Sequence, residues 1–478
     1  MVKTLVGLEI HVELKTATKM FCSCENVFGA PPNTHVCPSC LGHPGRLPLM
    51  NEEAVRLAIK AGHAFNCRIN NRSTMDRKKY FYPDLVKGYQ ITQDQPAICE
   101  DGYIEVKDGN SKKKIRIERI HIEEDTAKLI HEGDHTLIDY NRSGVPLIEI
   151  VSKPDISSSD QAQEFLSILR ETLKYIGVSD VKMEEGSLRC DVNINLVDEE
   201  NGKKTGISEI KNMNSFSAIG KAIEFEQARQ AKDLEAGIVE GKHTRRWDDI
   251  KQETEIMRTK DESADYRYTA ETDLPALVLS QQMIDDIKES LEELPHEKKD
   301  RFVKSYKISE YDADILARDK VISDFFEKSV NLYDDPESIA NWMNSDLMRM
   351  LNENEIQAEE MSLDPESLVK IIKYVNEKKI NTNTGKKLLK EIFIQGGDVD
   401  EIIEKRGLAQ ISDDSFLQDI IDKVLEENPQ SIEDYNNGRD NALKYLMGQC
   451  MKYSKGKGNP QKFSETLLDI LGPAGKNL

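Results

Sequence analysis

Hydrophobic and polar residues alternate along the segment GLEIHVEL, which covers residues 7–14. The apolar side chains take every second position, and Glu9, His11 and Glu13 take the positions between them. A period of two predicts a β-strand with one apolar face and one polar face. Glutamate is depleted in strands, so a polar face built from two glutamates and a histidine calls for a chemical explanation.

Two kinds of hydrophobic spacing divide the chain. Up to about residue 290, short alternating runs such as KKIRIERIHIEED, VPLIEIVS and SLRCDVNINL are interrupted by Gly, Pro and Asn, with helical patterns between them. Beyond that point nearly every segment has a helical period, with Asp, Asn and Gly at the stops. These patterns predict an α+β fold. The predicted domains are a mixed α/β domain at residues 1–290, an all-α helical domain at 291–405 and a small α-helical tail domain at 406–478.

The bulk composition limits the class of protein. A chain of 478 residues is too long for one typical hydrophobic core, so several domains are expected. The sequence has no apolar run of about 18 residues and no apolar signal segment after its first residues, so we expect neither a membrane span nor secretion. The expected location is the cytoplasm.

Charge is distributed unevenly along the chain. The net charge of -21 argues against a protein covered with nucleic acid, although a local basic patch is compatible with it. From Arg439 to Leu478, seven Lys and Arg residues face three Asp and Glu residues. On charge alone, a solvated tail and a nucleic-acid-binding tail fit this surplus equally well.

Four of the eight cysteines lie in one short segment, CSCENVFGAPPNTHVCPSC. They form two close pairs, Cys22 with Cys24 and Cys37 with Cys40, separated by twelve residues. Two such pairs can place four thiolates around a tetrahedral Zn²⁺. Free thiols and a disulfide are the alternatives, and a reducing compartment disfavours the disulfide. We predict a zinc-binding insert at residues 22–40 with a structural role, because four thiolates leave no open coordination position.

Acidic and histidine side chains recur on the strand-like segments. Glu9 and His11 are two residues apart on one strand, which places their Cα atoms about 6–7 Å from each other. Glu149 lies inside the apolar run VPLIEIVS. Each alone is more often an exposed charge, but several buried carboxylates in one domain require a shared cation. Oxygen ligands with one imidazole suit Mg²⁺ or Mn²⁺. Further candidates in such segments are His121, Glu123, Glu124, Asp125, Asp191, Asn193, Glu209 and Lys211.

A basic and aromatic segment, MDRKKYFYPDLVKGYQ, begins at residue 75. Arg77, Lys78 and Lys79 stand next to the aromatic residues 80–82. Such a mixture can stack a base and hold phosphate groups. An aromatic core strand with a basic edge explains the same residues equally well.

Several long segments occur in the order typical of one protein family. They are GLEIHVEL, DRKKYFYPDLVKGYQIT, HIEEDTAK, NRSGVPLIEIVSKPD, VSDVKMEEGSLRCDVNIN, EIKNMNSF, DYRY and SKGKGNP. Together they resemble the B subunit of the tRNA-dependent amidotransferase, the GatB family, over essentially the whole chain. The resemblance implies a "cradle" domain that binds ATP and Mg²⁺. This domain phosphorylates the side-chain carboxylate of Glu or Asp misacylated on tRNA(Gln) or tRNA(Asn).

The resemblance also implies partners and residue roles. An amidase A subunit supplies ammonia that displaces the phosphate, and a small C subunit completes the heterotrimer, which acts as an ATP-dependent carbon–nitrogen ligase in protein synthesis. The implied catalytic residues are Glu9, His11, Glu124, Glu149 and Lys78, of which the first four hold Mg²⁺. The implied nucleotide contacts are Arg77, Lys79, Asp191 and Glu209. The implied tRNA contacts are Lys452, Lys455 and Lys457.

Two other functions fit the same residues. A two-metal phosphoesterase or nuclease also uses carboxylate clusters, and it hydrolyses nucleic acid without consuming ATP. A non-catalytic tRNA-binding scaffold depends on the tail and tolerates alanine at Glu124. The amidotransferase differs from both because it releases ADP only when a charged tRNA is present.

Overall fold

The computed structural model describes residues 2–238, 241–259, 266–408, 414–454 and 460–472. The chain divides into two compact units, Met1–Pro295 and His296–Leu478. Strands and helices are mixed in the first unit, whereas the described part of the second unit is helical. This arrangement confirms the predicted α+β fold.

Strands make up most of the regular structure in the first unit. The strands are β1 (Val2–Glu13), β2 (Arg68–Ile69), β3 (Arg72–Ser73), β4 (Asp76–Lys79), β5 (Tyr89–Thr92), β6 (Cys99–Asp108), β7 (Ser111–Glu124), β8 (Lys128–Glu132), β9 (His135–Asp139), β10 (Pro146–Ser152), β11 (Leu188–Asp198), β12 (Ser208–Lys211), β13 (His243–Asp248), β14 (Glu253–Thr259), β15 (Thr269–Ala270) and β16 (Leu277–Val278). The helices are α1 (Glu52–Ala64), α2 (Ser159–Tyr175), α3 (Phe216–Ala236) and α4 (Gln281–Glu289).

A nine-stranded sheet forms the centre of this unit, in the order β14-β13-β12-β11-β1-β10-β7-β6-β2. Its neighbouring strands are antiparallel, apart from the parallel pair β12 and β13. The first strand, β1, therefore lies in the middle of the sheet, between β10 and β11. Three small sheets, β15-β4-β5, β16-β3 and β8-β9, accompany it.

The alternation in β1 separates the two faces of the large sheet. Leu8, Ile10 and Val12 are buried, and they belong to one hydrophobic core that includes apolar residues of α1, α2 and α3. Glu9 and His11 alternate with them and point to the opposite face. The helices thus cover the apolar face of the sheet, and the face that carries Glu9 and His11 is not covered by them.

The three long helices of this unit begin at capping side chains. Asn51, Ser158 and Ser215 each accept a hydrogen bond from a backbone N–H in the first turn of α1, α2 and α3. A helix start leaves these donors without intrahelical partners, so such caps fix where the helix begins. Asn and Ser at these three positions therefore determine where each helix begins.

Helices build the second unit. They are α5 (Pro295–Tyr306), α6 (Glu310–Ala317), α7 (Lys320–Leu332), α8 (Pro336–Trp342), α9 (Met348–Asn354), α10 (Pro365–Asn376), α11 (Thr382–Gln395), α12 (Val399–Arg406), α13 (Asp414–Glu427), α14 (Pro429–Asn436), α15 (Asp440–Tyr453) and α16 (Pro460–Leu471), with a π-helical turn at Met343–Leu347 and a 3₁₀ turn at Ala358–Glu360. Across the described part of the chain, every helix falls short of the length or hydrophobicity needed to cross a lipid bilayer.

Two hydrophobic clusters lie in the second unit. One extends from Phe302 to Val399, and the other from Leu417 to Leu467. The predicted boundary between residues 405 and 406 falls inside α12, and Ile402, Ile403 and Leu408 around it pack against the first cluster. Residues 409–413, between this helix and the second cluster, lie outside the described part. The division of the chain at residues 290 and 405 stays a prediction.

Candidate active site and metal centre

Polar side chains of several strands meet on the open face of the nine-stranded sheet. His11 of β1 pairs in the ladder with Glu149 of β10, which pairs with His121 of β7. On the other side of β1, Glu9 pairs with Asp191 of β11. Directly paired residues of neighbouring strands point to the same face of a sheet. The register therefore joins these side chains into one continuous polar patch.

Two histidines and two carboxylates are in contact at the centre of this patch. His11 Nε2 lies 3.4 Å from Glu123 Oε1 and 3.5 Å from Glu149 Oε2. His121 Nε2 lies 3.3 Å from the same Glu149 oxygen. Two triads each bring three potential ligand atoms within 4.8 Å of one another. They are Glu9, His11 and Glu149, and His121, Glu123 and Glu149.

Burial and mutual charge alter the acid–base properties of this cluster. Burial, reinforced by the Glu149 charge, raises the pKa of Glu9 and of Glu123. Burial alone would lower the pKa of His11, but its hydrogen bond with Glu149 and the two nearby carboxylates raise that pKa to about 9. Burial opposes the charge of Glu149, and the nearby histidines nevertheless hold its pKa well below the usual value. Such a cluster favours a positive charge at its centre, either a proton or a cation.

The patch forms the floor of a cavity of about 570 Å³. A volume of this size is typical of small-molecule sites, which range over roughly 300–1,000 Å³. The cationic side chains in its lining are Lys78, Arg119, Arg189, Lys211 and Lys242. The aromatic side chains there are Tyr80, Tyr266 and Tyr268. Cations above a carboxylate floor suit a ligand that carries both phosphate groups and a metal ion.

Asp191 and Glu209, two of the predicted nucleotide contacts, lie in this cavity and pair with Lys211. The Lys211 Nζ atom lies 3.0 Å from Glu209 Oε1. Burial opposes the charge of Lys211, but the two carboxylates raise its pKa above the usual value. Arg189 is held in a similar way, 3.0 Å from Asp125 Oδ1. Ion pairs thus fix the positions of two cationic groups at the rim of the carboxylate cluster.

The three basic residues of β4 do not act together, because successive strand residues point to opposite faces. Lys78 lines the cavity, with its ammonium nitrogen 4.8 Å from the centre of the Tyr266 ring. Arg77 points away and donates hydrogen bonds of 2.8 and 2.7 Å to the carboxylate of Glu271. Lys79 is not among the described residues that line the cavity. The structure therefore does not bring Arg77 and Lys79, both predicted nucleotide contacts, to the site of Lys78.

Glu124 also departs from the prediction. Its neighbour Glu123 belongs to the carboxylate cluster, so Glu124, the next residue of β7, points to the other side of the strand. Its carboxylate pairs with Lys87 and accepts a hydrogen bond of 3.0 Å from the backbone N–H of Ile91. It lines a separate cavity of about 270 Å³. The structure does not bring Glu124 to the other predicted magnesium ligands and places Glu123 there instead.

The four cysteines of the 22–40 segment converge as predicted, with their sulfur atoms within 4.8 Å of one another. The backbone N–H of Cys37 donates to Cys40 Sγ at 3.1 Å, and the fully buried Lys19 donates to the same sulfur at 3.7 Å. The hydrogen bond with Cys22 and the Lys19 charge lower the pKa of Cys40 to about 4, although burial opposes this. Sulfur atoms around a tetrahedral Zn²⁺ lie roughly 3.8 Å apart, since each Zn–S bond is about 2.3 Å. The donor set and its spacing fit such an ion.

The predicted tRNA contacts fall at the end of α15 and beyond it. Lys452 lies in the last turn of α15 and is exposed. Lys455 and Lys457 lie outside the described residues. The part of the prediction that the structure describes is therefore a single exposed lysine on a tail helix.

Sequence reasoning kept His121 and Glu123 only as candidates and gave no pairing role to Arg189 or Lys211. The signal for the first two was present, because His121 and Glu123 are two residues apart on one strand and so share a face. No such local signal exists for Arg189, since its partner Asp125 lies in a loop. Lys211 shares a face of β12 with its partner Glu209, but its other partner, Asp191, lies on β11.

Comparisons with known proteins show the family of the chain. Residues 4–285 match the family model of the GatB/GatE catalytic domain, and residues 324–471 match that of the GatB domain. The chain is 56% identical over 468 residues to the B subunit of the aspartyl/glutamyl-tRNA(Asn/Gln) amidotransferase from Finegoldia magna, a match that covers 98% of this chain and 99% of the relative. Proteins of the same description from Clostridium kluyveri and Thermoanaerobacter pseudethanolicus are 48% and 47% identical, with the same coverage. On this identity over its full length, the chain belongs to the GatB family of aspartyl/glutamyl-tRNA(Asn/Gln) amidotransferase B subunits.

Proposed function

We propose that the polar cavity activates the side-chain carboxylate of Glu-tRNA(Gln), Asp-tRNA(Asn) or both by ATP-dependent phosphorylation. The observation that carries this proposal is the carboxylate–histidine cluster on the floor of a cavity whose lining includes lysines and arginines. The names of the relatives support the tRNA substrates, because each relative is described as part of an aspartyl/glutamyl-tRNA(Asn/Gln) amidotransferase.

The donor set of the cluster fits Mg²⁺. Glu9, Glu123 and Glu149 offer carboxylate oxygens, and His11 offers an imidazole nitrogen. Hard divalent cations prefer oxygen ligands, and one imidazole is compatible with Mg²⁺ or Mn²⁺. Three buried or half-buried carboxylates so close to one another need positive charge among them. A divalent cation supplies that charge.

Phosphorylation solves a chemical problem, because a free carboxylate has no good leaving group for attack by ammonia. A carboxylate oxygen of the substrate forms a bond to the γ-phosphorus of ATP, the bond to the β-phosphate oxygen breaks, and ADP leaves. Mg²⁺, when bound, neutralises the phosphate charge and aligns the reacting oxygens. Lys78, Arg189 and Lys242 line the same cavity and can donate N–H groups to phosphate oxygens.

Amidation completes the reaction. Ammonia forms a bond to the acyl carbon, phosphate leaves with the electron pair of the carbon–oxygen bond, and the nitrogen loses a proton. We propose that an amidase A subunit supplies the ammonia from glutamine and that a C subunit completes the enzyme. The relatives are described as one subunit of an amidotransferase, which supports the presence of partner subunits. The reaction is that of a carbon–nitrogen ligase.

For the cysteine cluster we propose a structural Zn²⁺. Four thiolates complete a tetrahedral shell, so no position remains for a substrate. Between the two cysteine pairs, the backbone N–H of Asn33 donates to Asp139 at 3.0 Å, and its side chain donates to the Ile138 carbonyl at 3.0 Å. A bound Zn²⁺ would thus stabilise the loop of residues 22–40, which contacts the β8–β9 hairpin through Asn33.

For the tail we propose binding to the tRNA backbone. The support is the basic surplus from Arg439 onward in an otherwise acidic chain, together with the exposed Lys452. Lysine contacts to phosphates release counter-ions, so the binding is expected to weaken steeply with salt. Lys455 and Lys457 stay in this proposal as sequence-based candidates.

Reconstitution with the A and C subunits tests the proposed reaction. The complex is given ATP, Mg²⁺, glutamine and either Glu-tRNA(Gln) or Asp-tRNA(Asn), and ADP and amidated tRNA are measured. We expect ADP release to require a misacylated tRNA and to match the amide formed. Cleavage of tRNA without ATP would favour the nuclease. Unchanged ADP formation in a Glu149→Ala complex would favour the scaffold.

A further inference from the structure

Glycine lies in the interior of four of the described helices. These residues are Gly62 in α1, Gly220 in α3, Gly385 in α11 and Gly448 in α15. Glycine destabilises a helix relative to alanine, because its backbone loses more conformational freedom on folding. A glycine at such a position therefore needs a compensating reason, most often the close approach of another group to the helix.

Contacts within the chain explain the first three. A Cβ atom at Gly62 would lie 2.5 Å from the sulfur of Cys99. At Gly385 it would lie 2.8 Å from the side chain of Val375, and at Gly220 it would overlap a neighbouring glutamine. All three glycines are buried. Each lets a side chain of the same protein approach the helix backbone.

Gly448 has no such reason within the described structure. It is exposed, and a Cβ atom built there meets no described heavy atom within 4 Å. It lies in the middle of α15, a helix of 14 residues, so it does not end the helix. Neither packing within the described part of the chain nor helix termination accounts for the missing side chain.

The surroundings of Gly448 form a distinct helix face. The exposed residues of this face recur every three or four positions, which places them on one side of the helix. They are Asn441, Lys444, Tyr445, Gly448 and Lys452. The opposite side carries Ala442, Leu446 and Cys450, which are buried, the last two in the hydrophobic cluster of the tail. Gly448 thus lies one turn after one lysine and one turn before the other.

The charge of this face distinguishes it from the neighbouring tail helix. Lys444 and Lys452 are both positive, and none of the five residues of the face is acidic. The exposed residues of α13, in contrast, include four acidic side chains and one lysine, namely Asp419, Asp422, Lys423, Glu426 and Glu427. Lysine is depleted at protein–protein interfaces, whereas lysines with an exposed aromatic ring are typical of nucleic-acid contacts. Tyr445, half exposed, supplies such a ring.

We propose that the tRNA backbone lies on this face of α15 and approaches the helix most closely at Gly448. The inference rests on the proposed tRNA binding of the tail and adds the contact surface and its central residue. The missing Cβ lets a phosphate–ribose segment reach the helix surface between Lys444 and Lys452, whose ammonium groups pair with flanking phosphates. Backbone contacts of this kind position the tRNA without reading its sequence.

A substitution at Gly448 is expected to change the melting temperature and the tRNA affinity in opposite directions. We expect Gly448→Ala to raise the melting temperature of the reconstituted complex by about 3 °C, because alanine favours the helix and its Cβ has space. The same substitution is expected to weaken the binding of tRNA(Gln) by about fivefold at 100 mM salt, since it pushes phosphates away from the two lysines. Gly448→Leu is expected to weaken binding further. The matched control, Gly385→Ala, should lower the melting temperature and leave the tRNA affinity unchanged.

The outcomes distinguish this inference from the proposed function of the tail. Parental tRNA affinity in Gly448→Ala and Gly448→Leu overturns the inference. If the double variant Lys444→Ala with Lys452→Ala still lowers the tRNA affinity and the dependence of that affinity on salt, the tail binds tRNA but Gly448 is not the point of closest approach. If none of these variants changes the affinity, and Lys455→Ala with Lys457→Ala leaves it unchanged as well, both fail. Loss of assembly with the A and C subunits, at unchanged tRNA affinity, would assign the face to a protein contact and also overturn the inference.

Discussion

The two ligand clusters of the first unit hold their side chains in different ways. The cysteine cluster takes four sulfur atoms from one loop of residues 22–40. The carboxylate–histidine cluster takes oxygen and nitrogen atoms from three separate strands, β1, β7 and β10. Four thiolates saturate a tetrahedral ion, whereas hard ions with few protein ligands keep positions for water and phosphate. The cysteine cluster, here called the closed cluster, therefore suits a structural role. The carboxylate–histidine cluster, here called the open cluster, suits a catalytic role.

A substitution at Glu149 should have the largest effect on the open cluster and none on the closed cluster, because Glu149 belongs to both triads of the open cluster. We expect Glu149→Ala to reduce tRNA-dependent ADP formation at least ~10²-fold, since the metal loses a ligand and the transition state loses charge neutralisation. Bound zinc should remain at about one per chain. Initial rates and metal analysis of the reconstituted complex measure both quantities. Near-parental ADP formation would remove the cluster from the reaction.

Substitutions at the neighbouring residues Glu123 and Glu124 test on which side of β7 the metal binds. We expect Glu123→Gln to raise the Mg²⁺ concentration for half-maximal ADP formation by about tenfold, because it removes a ligand charge. Glu124→Gln should leave that concentration unchanged, since this side chain lies in the other cavity and its amide can still accept the hydrogen bond from Ile91. The reverse order would place the metal on the other side of β7.

Removal of one thiolate tests the closed cluster. Cys37→Ser should lose zinc and lower the melting temperature by roughly 5 °C, because metal binding contributes to folding free energy. The Michaelis constant for ATP should stay near its parental value. Cys67→Ser, at a buried cysteine outside the cluster, provides the control and should retain zinc. A Cys37→Ser protein that loses zinc but melts at the parental temperature would show that the ion is not structural.

The smallest effect concerns the pH dependence of the metal-free protein. The carboxylates around His11 raise its pKa to about 9 against the effect of burial, and the pKa of an unfolded histidine is about 6.5. The protonated form therefore stabilises the fold fully below about pH 6.5, and this contribution is lost as the pH rises through about 9. In EDTA, the melting temperature should fall over this interval more steeply in the parent than in His11→Gln. Parallel curves would mean that His11 is not paired with carboxylates.

Local spacing allowed some of the fold and the sites to be predicted. The cysteine cluster lies within nineteen consecutive residues, so its pairs were visible in the sequence. The alternation around Glu9 and His11 showed the polar face of β1, and the helical period beyond residue 290 showed the helices of the second unit. These features depend on residues that are near one another in the chain.

Features that depend on distant residues could not be predicted in the same way. The choice between Glu123 and Glu124 required the strand register, which places Glu123 beside His11. The bidentate pairing of Arg77 with Glu271 joins positions far apart in sequence, and it removes Arg77 from the predicted nucleotide site. Such pairings follow from tertiary packing and leave no periodic signal.

The central place of β1 in the large sheet has a consequence for biosynthesis. His11 pairs with Glu149 on one side and with Arg189 on the other, so the first strand made has no complete set of neighbours until about residue 198 has left the ribosome. Contacts between such distant segments form slowly, and an unpaired apolar strand is prone to aggregate meanwhile. A nascent chain that stops short of β11 leaves β1, with Glu9 and His11, at an open edge of the sheet. Until residues 188–198 are made, β1 therefore has a partner strand on one edge at most.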